Sequence, residues 1–375
     1  MRLYVLLIAF SFAVSYLLTP VVRSVGERFT AGQQLRDRDV HTAPIVKFGG
    51  LGIIAALGAG LWLASYLRFF SAVYESTDAI RGVGLALVAV CILGLADDLM
   101  DLKWWIKLGG QIAIAGIIVA HGIVIQALPV GSWQIEQFWV QASITILLIV
   151  MTMNAVNFSD GLDGLAAGLA AIGAATFFLY SYVLATHVNA EDYANFSALI
   201  CALLLGACLG FLPHNFNPAN IFMGESGVLG IGLVLSVATI AVTGDVQGIE
   251  AYRFRNVPAY MPIVLPAVIV FLPVLDLGLS VIRRLSKRRS PFAPDSKHIH
   301  HKMLAQGHSV RKSVLLLYLW AIFVALTVVL VAFIPLTLLI PLCLLLGLGV
   351  GLLTWWPLVR RRALQLRDKR TGRAE

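Results

Sequence analysis

Charged residues are scarce in this sequence. Asp, Glu, Lys and Arg together make up 13% of its 375 residues, whereas hydrophobic residues make up 59%. The mean hydropathy of +0.86 is likewise far above the value expected of a soluble globular protein. This composition excludes a soluble globular domain and indicates a polytopic membrane protein.

Cysteine is also scarce, and no two cysteines are spaced like a disulfide framework or a zinc site. All of them lie inside apolar segments that we predict to span the membrane: Cys91, Cys201, Cys208 and Cys343. The sequence also lacks internal repeats, low-complexity segments and a second domain. No small-residue cleavage site precedes Pro20, so we predict that the first apolar segment is retained as a span.

Apolar runs of the length that a membrane span requires, about 20 residues, recur along the chain. We therefore predict an all-α polytopic fold with about 11 transmembrane helices. The candidate spans lie near residues 3–19, 49–67, 82–97, 108–128, 138–155, 162–186, 194–212, 226–244, 259–282, 313–333 and 336–356. Residues 1–356 are expected to form a single multi-span membrane domain, and residues 357–375 a basic cytoplasmic tail.

The distribution of Lys and Arg predicts the orientation of these helices, because cytoplasmic loops carry the excess of basic residues. If the loop after the first span is cytoplasmic, 23 of the 28 Lys and Arg residues lie on the cytoplasmic side. We therefore predict an external N-terminus and a cytoplasmic C-terminus. The net charge of +8 then follows from topology and from contact with anionic lipids, so it gives no reason to expect nucleic-acid binding.

Polar residues interrupt the apolar pattern mainly at the predicted cytoplasmic ends of the spans. Ionisable side chains at membrane depth are costly and usually serve a function, so we expect these segments to form one site. They are GLADDLMDL at the end of span three, NAVNFSDGLDGLAAG between spans five and six, PHNFNPANIFMGESG between spans seven and eight, and SPFAPDSKHIHHKM after span nine.

Each cluster also has a purely structural interpretation. Asp97 and Asp98 can end a helix in water, although two carboxylates at a helix C-terminus call for a nearby cation. Ser159 or Asp160 can cap span six, which explains one carboxylate and leaves the neighbouring Asn and Asp residues without a role. Glu225 can be an acidic residue favoured at the start of span eight. The sequence alone leaves these alternatives open.

The histidine cluster His298, His300 and His301 lies in a strongly cationic loop. A zinc site would need a fourth ligand such as Cys, and none is near, so phosphate binding fits better. The carboxylates and carboxamides of the other segments suit Mg²⁺, which prefers oxygen ligands and bridges to substrate phosphates. Cationic residues beside such a site neutralise charge in phosphoryl transfer. We therefore hypothesise a cytoplasmic-facing site that joins a nucleotide substrate to a lipid phosphate.

The chain resembles a known family over residues 41–301, where the quoted segments occur in family order together with PVLDLGLSVIRR and a weaker match in HTAPIVKFGGLGI. This family is the polyprenyl-phosphate N-acetylhexosamine-1-phosphate transferases of glycosyltransferase family 4, which include phospho-N-acetylmuramoyl-pentapeptide transferase. The form HIHH resembles the branch that uses UDP-N-acetylglucosamine to start O-antigen, teichoic-acid or related glycans. The peptidoglycan branch usually has HHH.

The resemblance implies an Mg²⁺-dependent enzyme of the bacterial inner membrane with a cytoplasmic active site, in which Mn²⁺ is expected to substitute. The implied reaction transfers a sugar 1-phosphate, with N-acetylglucosamine 1-phosphate as the expected group, from a UDP-sugar to undecaprenyl phosphate and releases UMP. This would be the first membrane step of cell-envelope glycan synthesis. Alternatives within the family are phospho-N-acetylmuramoyl-pentapeptide and another UDP-N-acetylhexosamine. Expected partners are the UDP-sugar, undecaprenyl phosphate and membrane lipids, with no nucleic acid and with a homodimer left open.

The resemblance also implies roles for individual residues. Catalytic roles fall on Asp97, Asp98, Asp160, Asp163, His298, His300 and His301, substrate-binding roles on Lys47, Asn154, Asn215, Phe222 and Arg283, and metal-binding roles on Asn157 and Glu225. The family usually has Asp where this chain has Glu225, which matters because Mg²⁺ tolerates poor geometry badly. Direct attack by the lipid phosphate and a two-step route through a carboxyl phosphate at Asp160 or Asp163 both remain open.

Other function classes fit the sequence less well. An ion-coupled transporter would also bury Asp, Glu and His, but its polar groups should occur at mid-span and near both membrane faces. A CDP-alcohol phosphotransferase has an Asp-Gly start similar to that of DGLDGLAAG, but residues 167–180 lack its later Arg and Asp. An intramembrane prenyltransferase would need a second Asp-x-x-x-Asp cluster, which the sequence does not contain.

Overall fold

The computed structural model describes residues 1–30, 46–76, 78–125, 137–187, 193–244, 286, 308–331 and 334–370. All regular structure in these ranges is helical, which confirms the all-α prediction. The helices are α1 (Arg2–Thr30), α2 (Gly50–Ser65), α3 (Ser71–Ser76), α4 (Ala79–Met100), α5 (Trp104–Ala120), α6 (Phe138–Ser159), α7 (Leu165–His187), α8 (Tyr193–Asn215), α9 (Gly224–Gly244), α10 (Val310–Val331) and α11 (Leu336–Arg370), with a 3₁₀ turn at Arg68–Phe70.

Eight of the described helices are long and apolar enough to cross a membrane: α1, α4, α6, α7, α8, α9, α10 and α11. A ninth crossing results if α2 is joined to the segment Arg68–Glu75, which bends away from it by 93°. α5 is apolar but shorter. The predicted span at 259–282 lies outside the described residues. The chain is thus a multi-pass membrane protein, and the predicted total of about 11 spans stays a prediction.

The centre of the bundle is formed by α8 and α9. α1 and α7 pack along α8, whereas α4 and α6 pack along α9. In the apolar span of α9, 89% of the residues are buried inside the bundle, compared with 11% in the apolar span of α11. A helix that is apolar on all sides is stable either at the centre of a bundle or against lipid. The apolar span of α9 is an example of the first case, and that of α11 is an example of the second.

Close backbone contact joins α4 to α9 near their polar ends. A Cβ atom added at Gly94 would lie 2.3 Å from the Cα atom of Ser226. Small residues permit such an approach, because dispersion contacts between backbones take the place of side-chain packing. The contact brings the last turn of α4, with its acidic pair, against the first turn of α9.

The two ends of the bundle differ in chemistry. At one end the buried Tyr4 packs edge-on against Phe70 and Phe178, with ring centroids 5.3 Å away in both cases. At the other end α4, α6 and α8 terminate and α5, α7, α9 and α10 begin. The described polar clusters of the sequence analysis lie at this second end.

Candidate active site

The first group of polar side chains joins four helices and is called here the carboxylate cluster. Its members are Asp97, Asp98, Lys107, Asn157 and Glu225. The Lys107 Nζ atom lies 2.6 Å from Asp97 Oδ2 and 3.1 Å from Glu225 Oε1. The ammonium therefore bridges two carboxylates from different helices, and it supplies the cation that an acidic pair at a helix C-terminus requires.

Glu225 is the centre of the cluster because three of its neighbours meet there. The Asn157 Nδ2 atom donates to Glu225 Oε2 at 2.9 Å and to Oε1 at 3.2 Å. The backbone N–H of Glu225 donates to the Asp98 carboxylate, with N–O distances of 3.1 and 3.2 Å. This N–H belongs to the first turn of α9, where backbone donors have no partner within the helix and attract anions. Asp98 is thus held by a helix N-terminus.

The turn before Glu225 depends on glycine. Gly224 has a φ of +72°, and a Cβ atom there would lie 1.7 Å from the Lys47 carbonyl oxygen and 2.6 Å from Asp98 Oδ2. Left-handed backbone conformations favour glycine, and here no space for a side chain remains. Gly224 therefore lets the segment with Lys47, helix α4 and helix α9 meet at the cluster.

Asp97 stabilises the turn between α4 and α5, the helix that carries Lys107. Asp97 is 7% exposed, and its Oδ1 atom accepts a hydrogen bond of 2.9 Å from the backbone N–H of Leu102. Asp101 ends α4 in the left-handed conformation, with its N–H bonded to the Asp97 carbonyl oxygen at 2.9 Å. α5 then begins at Trp104 and carries Lys107 back to the acidic pair.

Lys47 and Phe222 lie on neighbouring backbone segments. The Phe222 N–H donates to the Val46 carbonyl oxygen at 2.8 Å, and the Gly49 N–H donates to the Phe222 carbonyl oxygen at 2.9 Å. The Lys47 side chain is exposed, whereas Phe222 is half-buried. These predicted substrate-binding residues therefore lie beside the Gly224 turn that precedes Glu225, and their contact with substrate stays a prediction.

A second group of polar residues surrounds the turn between α6 and α7 and is called here the loop cluster. Its members are Asp163, Gly164, Asn215 and Asn217. Asp163 Oδ2 accepts hydrogen bonds from Asn217 Nδ2 at 2.9 Å and from the backbone N–H of Ala219 at 3.1 Å. The Asp163 carboxylate is thus attached to the segment between α8 and α9.

Asn215 also connects the turn between α6 and α7 to the segment between α8 and α9. Its Oδ1 atom accepts from the Gly164 N–H at 3.0 Å, and its Nδ2 atom donates to the Ile221 carbonyl oxygen at 2.9 Å. The side chain is only 2% exposed. Asn215 therefore holds the two loops in register in this structure, and its predicted contact with substrate stays a prediction.

Asp160 lies between the two clusters and ends α6. Burial raises the pKa of its carboxyl to about 7, and the nearby carboxylates of Glu225 and Asp163 shift it in the same direction. α7 begins only at Leu165, so the interpretation of Ser159 or Asp160 as its cap is wrong. Asp160 is instead a carboxyl whose surroundings raise its pKa, and any cation bound nearby would favour its ionised form.

Asn154 lies about one helical turn deeper than Asn157. Its Nδ2 atom donates to Gln111 Oε1 at 2.7 Å and to the Val150 carbonyl oxygen at 2.8 Å. Gln111 is buried on α5. Asn154 therefore joins α6 to α5 below the carboxylate cluster, and no described contact links it directly to Glu225.

Lys107 and Gln111 are site residues that the sequence interpretation missed. Lys107 is one of many basic residues expected near cytoplasmic helix ends, where a Lys is ordinary. The available signal was their spacing, since polar residues at positions i and i+4 share one face of an otherwise apolar helix. The remaining predicted site residues, His298, His300, His301 and Arg283, lie outside the described residues.

The donor set of the carboxylate cluster fits an oxygen-preferring divalent cation. Within the described ranges no group of three or more His, Cys, Asp or Glu side chains has the spacing of a preformed metal site. However, the Lys107 ammonium already lies between Asp97 and Glu225, where a cation gains from both carboxylates. Carboxylate and carboxamide oxygens are the side-chain ligands that Mg²⁺ prefers.

Comparison with known proteins identifies relatives over most of the chain. A family model described as "Glycosyl transferase family 4" matches residues 80–243. The chain is 37% identical to the "Decaprenyl-phosphate N-acetylglucosaminephosphotransferase" of Mycobacterium leprae, over 83% of this chain and 79% of the relative. It is 32% identical to the "Probable undecaprenyl-phosphate N-acetylglucosaminyl 1-phosphate transferase" of Bacillus subtilis, over 83% of this chain and 81% of the relative.

A peptidoglycan enzyme matches a shorter part of the chain. The "Phospho-N-acetylmuramoyl-pentapeptide-transferase" of Geobacillus kaustophilus is 32% identical over 64% of this chain and 74% of the relative. The matched family model begins with α4 and ends with α9, and therefore contains every described member of the two clusters.

Proposed function

This chain belongs to glycosyl transferase family 4, and from that premise we propose that it transfers N-acetylglucosamine 1-phosphate from UDP-N-acetylglucosamine to a polyprenyl phosphate, releasing UMP. The proposal includes undecaprenyl phosphate as the acceptor and the bacterial inner membrane as the location. The relatives from Mycobacterium leprae and Bacillus subtilis, each matched over 83% of this chain, are named for this acceptor class and this sugar.

The observation that carries the proposal is the carboxylate cluster at the polar end of the bundle. Asp98 accepts from the N-terminus of α9, and Lys107 bridges Asp97 and Glu225. A reaction between two phosphate-bearing substrates requires positive charge beside a group that can orient or deprotonate the attacking phosphate. The cluster combines both at the ends of α4, α6 and α9, which we propose to lie at the membrane boundary, where a lipid phosphate and a soluble nucleotide can meet.

We favour direct attack of the lipid phosphate on the β-phosphorus of the UDP-sugar. Asp98 would orient the attacking phosphate and accept its proton, while Lys107 and the exposed Lys47 would balance the charge on the leaving UMP. In the two-step alternative Asp160 or Asp163 would be the nucleophile, and one oxygen of Asp163 already accepts two hydrogen bonds. Such bonds stabilise the anion and reduce its nucleophilicity, which argues against Asp163 and leaves Asp160 as the candidate for that route.

We propose that Mg²⁺ is held by Asn157 and Glu225 with Asp97 beside them, while Asp98 serves the attacking phosphate. When bound, it would supply charge neutralisation for the pyrophosphate oxygens. The longer side chain of Glu225, compared with the usual Asp of the family, is compatible with this role only if the first turn of α9 is placed to suit it. Its bidentate contact with Asn157 and the close fit of Gly224 are the features that fix this turn.

The proposed orientation puts the polar end of the bundle in the cytoplasm. Its support is the excess of Lys and Arg in the segments at that end. A reporter fused after residue 295 should read cytoplasmic, and a reporter fused near Asp192 should read external. The opposite result at either position would remove the shared cytoplasmic face on which the proposal depends.

The proposed function is tested by product identification. Purified protein in lipid nanodiscs is incubated with Mg²⁺, undecaprenyl phosphate and, separately, the UDP-linked forms of N-acetylglucosamine, N-acetylgalactosamine, glucose and N-acetylmuramoyl-pentapeptide. We expect a lipid with the mass of undecaprenyl-pyrophosphoryl N-acetylglucosamine. A product only with the muramoyl-pentapeptide donor would move the protein to the peptidoglycan branch, and no lipid product with any donor would contradict the proposal.

A further inference from the structure

α10 contacts the loop cluster at two points on one face of the helix. The Arg311 Nε–H donates a hydrogen bond of 2.7 Å to the carbonyl oxygen of Asn217. The Tyr318 hydroxyl donates to the carbonyl oxygen of Gly164. Arg311 and Tyr318 are about two helical turns apart, so both point to the same side of α10. This helix therefore holds both of the segments that meet at Asp163.

Asn217 connects Arg311 to the carboxylate of the loop cluster. Its backbone carbonyl accepts from Arg311, and its side-chain amide donates to Asp163 Oδ2 at 2.9 Å. The backbone N–H of Ala219 reaches the same oxygen at 3.1 Å. A rotation of the Asn217 peptide would therefore displace one donor directly and move the segment that carries the other.

The Tyr318 contact is tightly packed, whereas the Arg311 contact lies in more open surroundings. Tyr318 is pressed against α7, since a Cβ atom added at Gly168 would lie 2.0 Å from its ring. By contrast, Pro218 and Asn220 are exposed, and an open groove passes between the end of α8 and Arg311. Arg311 thus provides a hydrogen bond from α10 to the segment that binds Asp163, while Phe216 of that segment packs against the apolar cluster that contains Val314 and Leu317.

We propose that Arg311 is a positioning residue for Asp163 and acts through Asn217 without touching substrate. This inference rests on the proposed function and adds to it that Asp163 lies on the UDP-sugar side of the site. Without Arg311 the Asn217 amide would no longer be held in the orientation in which it donates to Asp163. The loss should therefore weaken productive binding of the UDP-sugar more than it slows the reaction of bound substrates.

The kinetic test compares Arg311→Ala with its neighbour Lys312→Ala in the full-length protein. Both changes remove one positive charge from exposed positions at the start of α10, but only Arg311 bonds to Asn217. We expect Arg311→Ala to raise KM for UDP-N-acetylglucosamine about tenfold, with kcat and the KM for polyprenyl phosphate within about twofold of wild type. Arg311→Lys retains a donor and should recover most of the loss, while Lys312→Ala should behave as wild type.

A double-variant cycle tests the route through Asn217. Because Arg311 is proposed to act on Asp163 mainly through the Asn217 amide, with the Ala219 N–H as a lesser contributor, Arg311→Ala should add no more than about twofold to the KM defect of Asn217→Ala. An undiminished tenfold effect in the Asn217→Ala background would overturn the proposed route. Equal KM values in Arg311→Ala and Lys312→Ala would overturn the positioning role itself.

Hydrogen exchange provides a readout that needs no activity. Peptides covering residues 160–168 and 214–222 should exchange faster in Arg311→Ala than in wild type or Lys312→Ala, without substrate present. If Arg311→Ala does not accumulate as a folded protein, Arg311→Gln, which keeps a side chain of similar reach without the charge, replaces it. Unchanged exchange in both peptides would contradict the inference. A wild-type protein that forms no lipid product would instead contradict the proposed function, while the exchange result would still decide the role of Arg311.

Discussion

The carboxylate cluster and the loop cluster lie at the same end of the bundle and both contain Asp and Asn, but the first also contains an ammonium group, that of Lys107. In the carboxylate cluster, Asp97 and Glu225 share the Lys107 ammonium, and Asp98 is bound by the N-terminus of α9. In the loop cluster, Asp163 accepts from a side-chain amide and a backbone amide. The first arrangement balances the negative charge of its carboxylates, and the second fixes the position of the Asp163 carboxylate.

This difference suggests that the two acidic sites at this end of the bundle have separate roles. The attacking phosphate and a bound cation both require nearby charged groups, because negative charge shifts between phosphate oxygens during phosphoryl transfer. Fixed geometry is what a bound nucleotide sugar needs, because its reacting phosphorus must be placed accurately. Changes in the two clusters should therefore affect different kinetic parameters.

The largest effect is expected for Asp98→Asn. This change keeps the shape and a hydrogen-bond acceptor for the Glu225 N–H, but it removes the base, so kcat should fall by about 10²–10⁴-fold. Binding of UDP-N-acetylglucosamine, measured by titration calorimetry, should stay within about twofold of wild type. Asp101→Asn is the control, since Asp101 is exposed at the end of α4 and Asn tolerates its left-handed conformation. Weakened nucleotide binding with intact turnover would exchange the roles of the two clusters.

A smaller effect is expected for Asn217→Asp. The new carboxylate would face Asp163 where the wild-type amide donates at 2.9 Å. Like charges at this distance repel, so the loop should open and KM for the UDP-sugar should rise about 10–50-fold, with less effect on kcat. Asn220→Asp adds the same charge at an exposed position of the same segment. If both variants behave alike in steady-state kinetics, the loop cluster does not position the nucleotide sugar.

The effect of Glu225→Gln should depend on the metal concentration. If Glu225 is a ligand, loss of its charge should raise the Mg²⁺ concentration for half-maximal activity about tenfold, and high Mg²⁺ should restore much of the activity. Glu225→Asp keeps the charge but withdraws it by about 1.5 Å, roughly one carbon–carbon bond, so it should fall between wild type and Gln. An unchanged Mg²⁺ dependence in Glu225→Gln would leave Glu225 as an acidic residue at a helix start and as the partner of Asn157.

Much of this fold could be predicted from the sequence, because membrane spans are determined by local composition. Apolar runs of sufficient length identified α1, α4 and α6 to α11, all of which meet the requirement for a span. The sequence did not reveal that α2 ends at Ser65, before a 93° bend, or that α5 is short. Both depend on how these segments pack against their neighbours, and hydropathy does not report packing.

The candidate site was less predictable for the same reason. The acidic and amide residues stand out because a polar group is rare in an apolar span, and the structure brings Asp97, Asp98, Asn157 and Glu225 together. Lys107 did not stand out because basic residues are common beside cytoplasmic helix ends. Arg311 was hidden in the same way. Their roles arise from a return turn after α4 and from the packing of α10 on α7, which are tertiary features.

The most direct test of the account follows the β-phosphorus of the donor. UDP-N-acetylglucosamine labelled with ³²P at the β-position is incubated with the purified protein, Mg²⁺ and undecaprenyl phosphate, and the lipid and nucleotide fractions are separated. Transfer of a sugar 1-phosphate predicts that the label appears in the lipid and that the released nucleotide is unlabelled UMP. Label retained in released UDP, with an unlabelled sugar lipid, would show transfer of the sugar without its phosphate and would contradict the account.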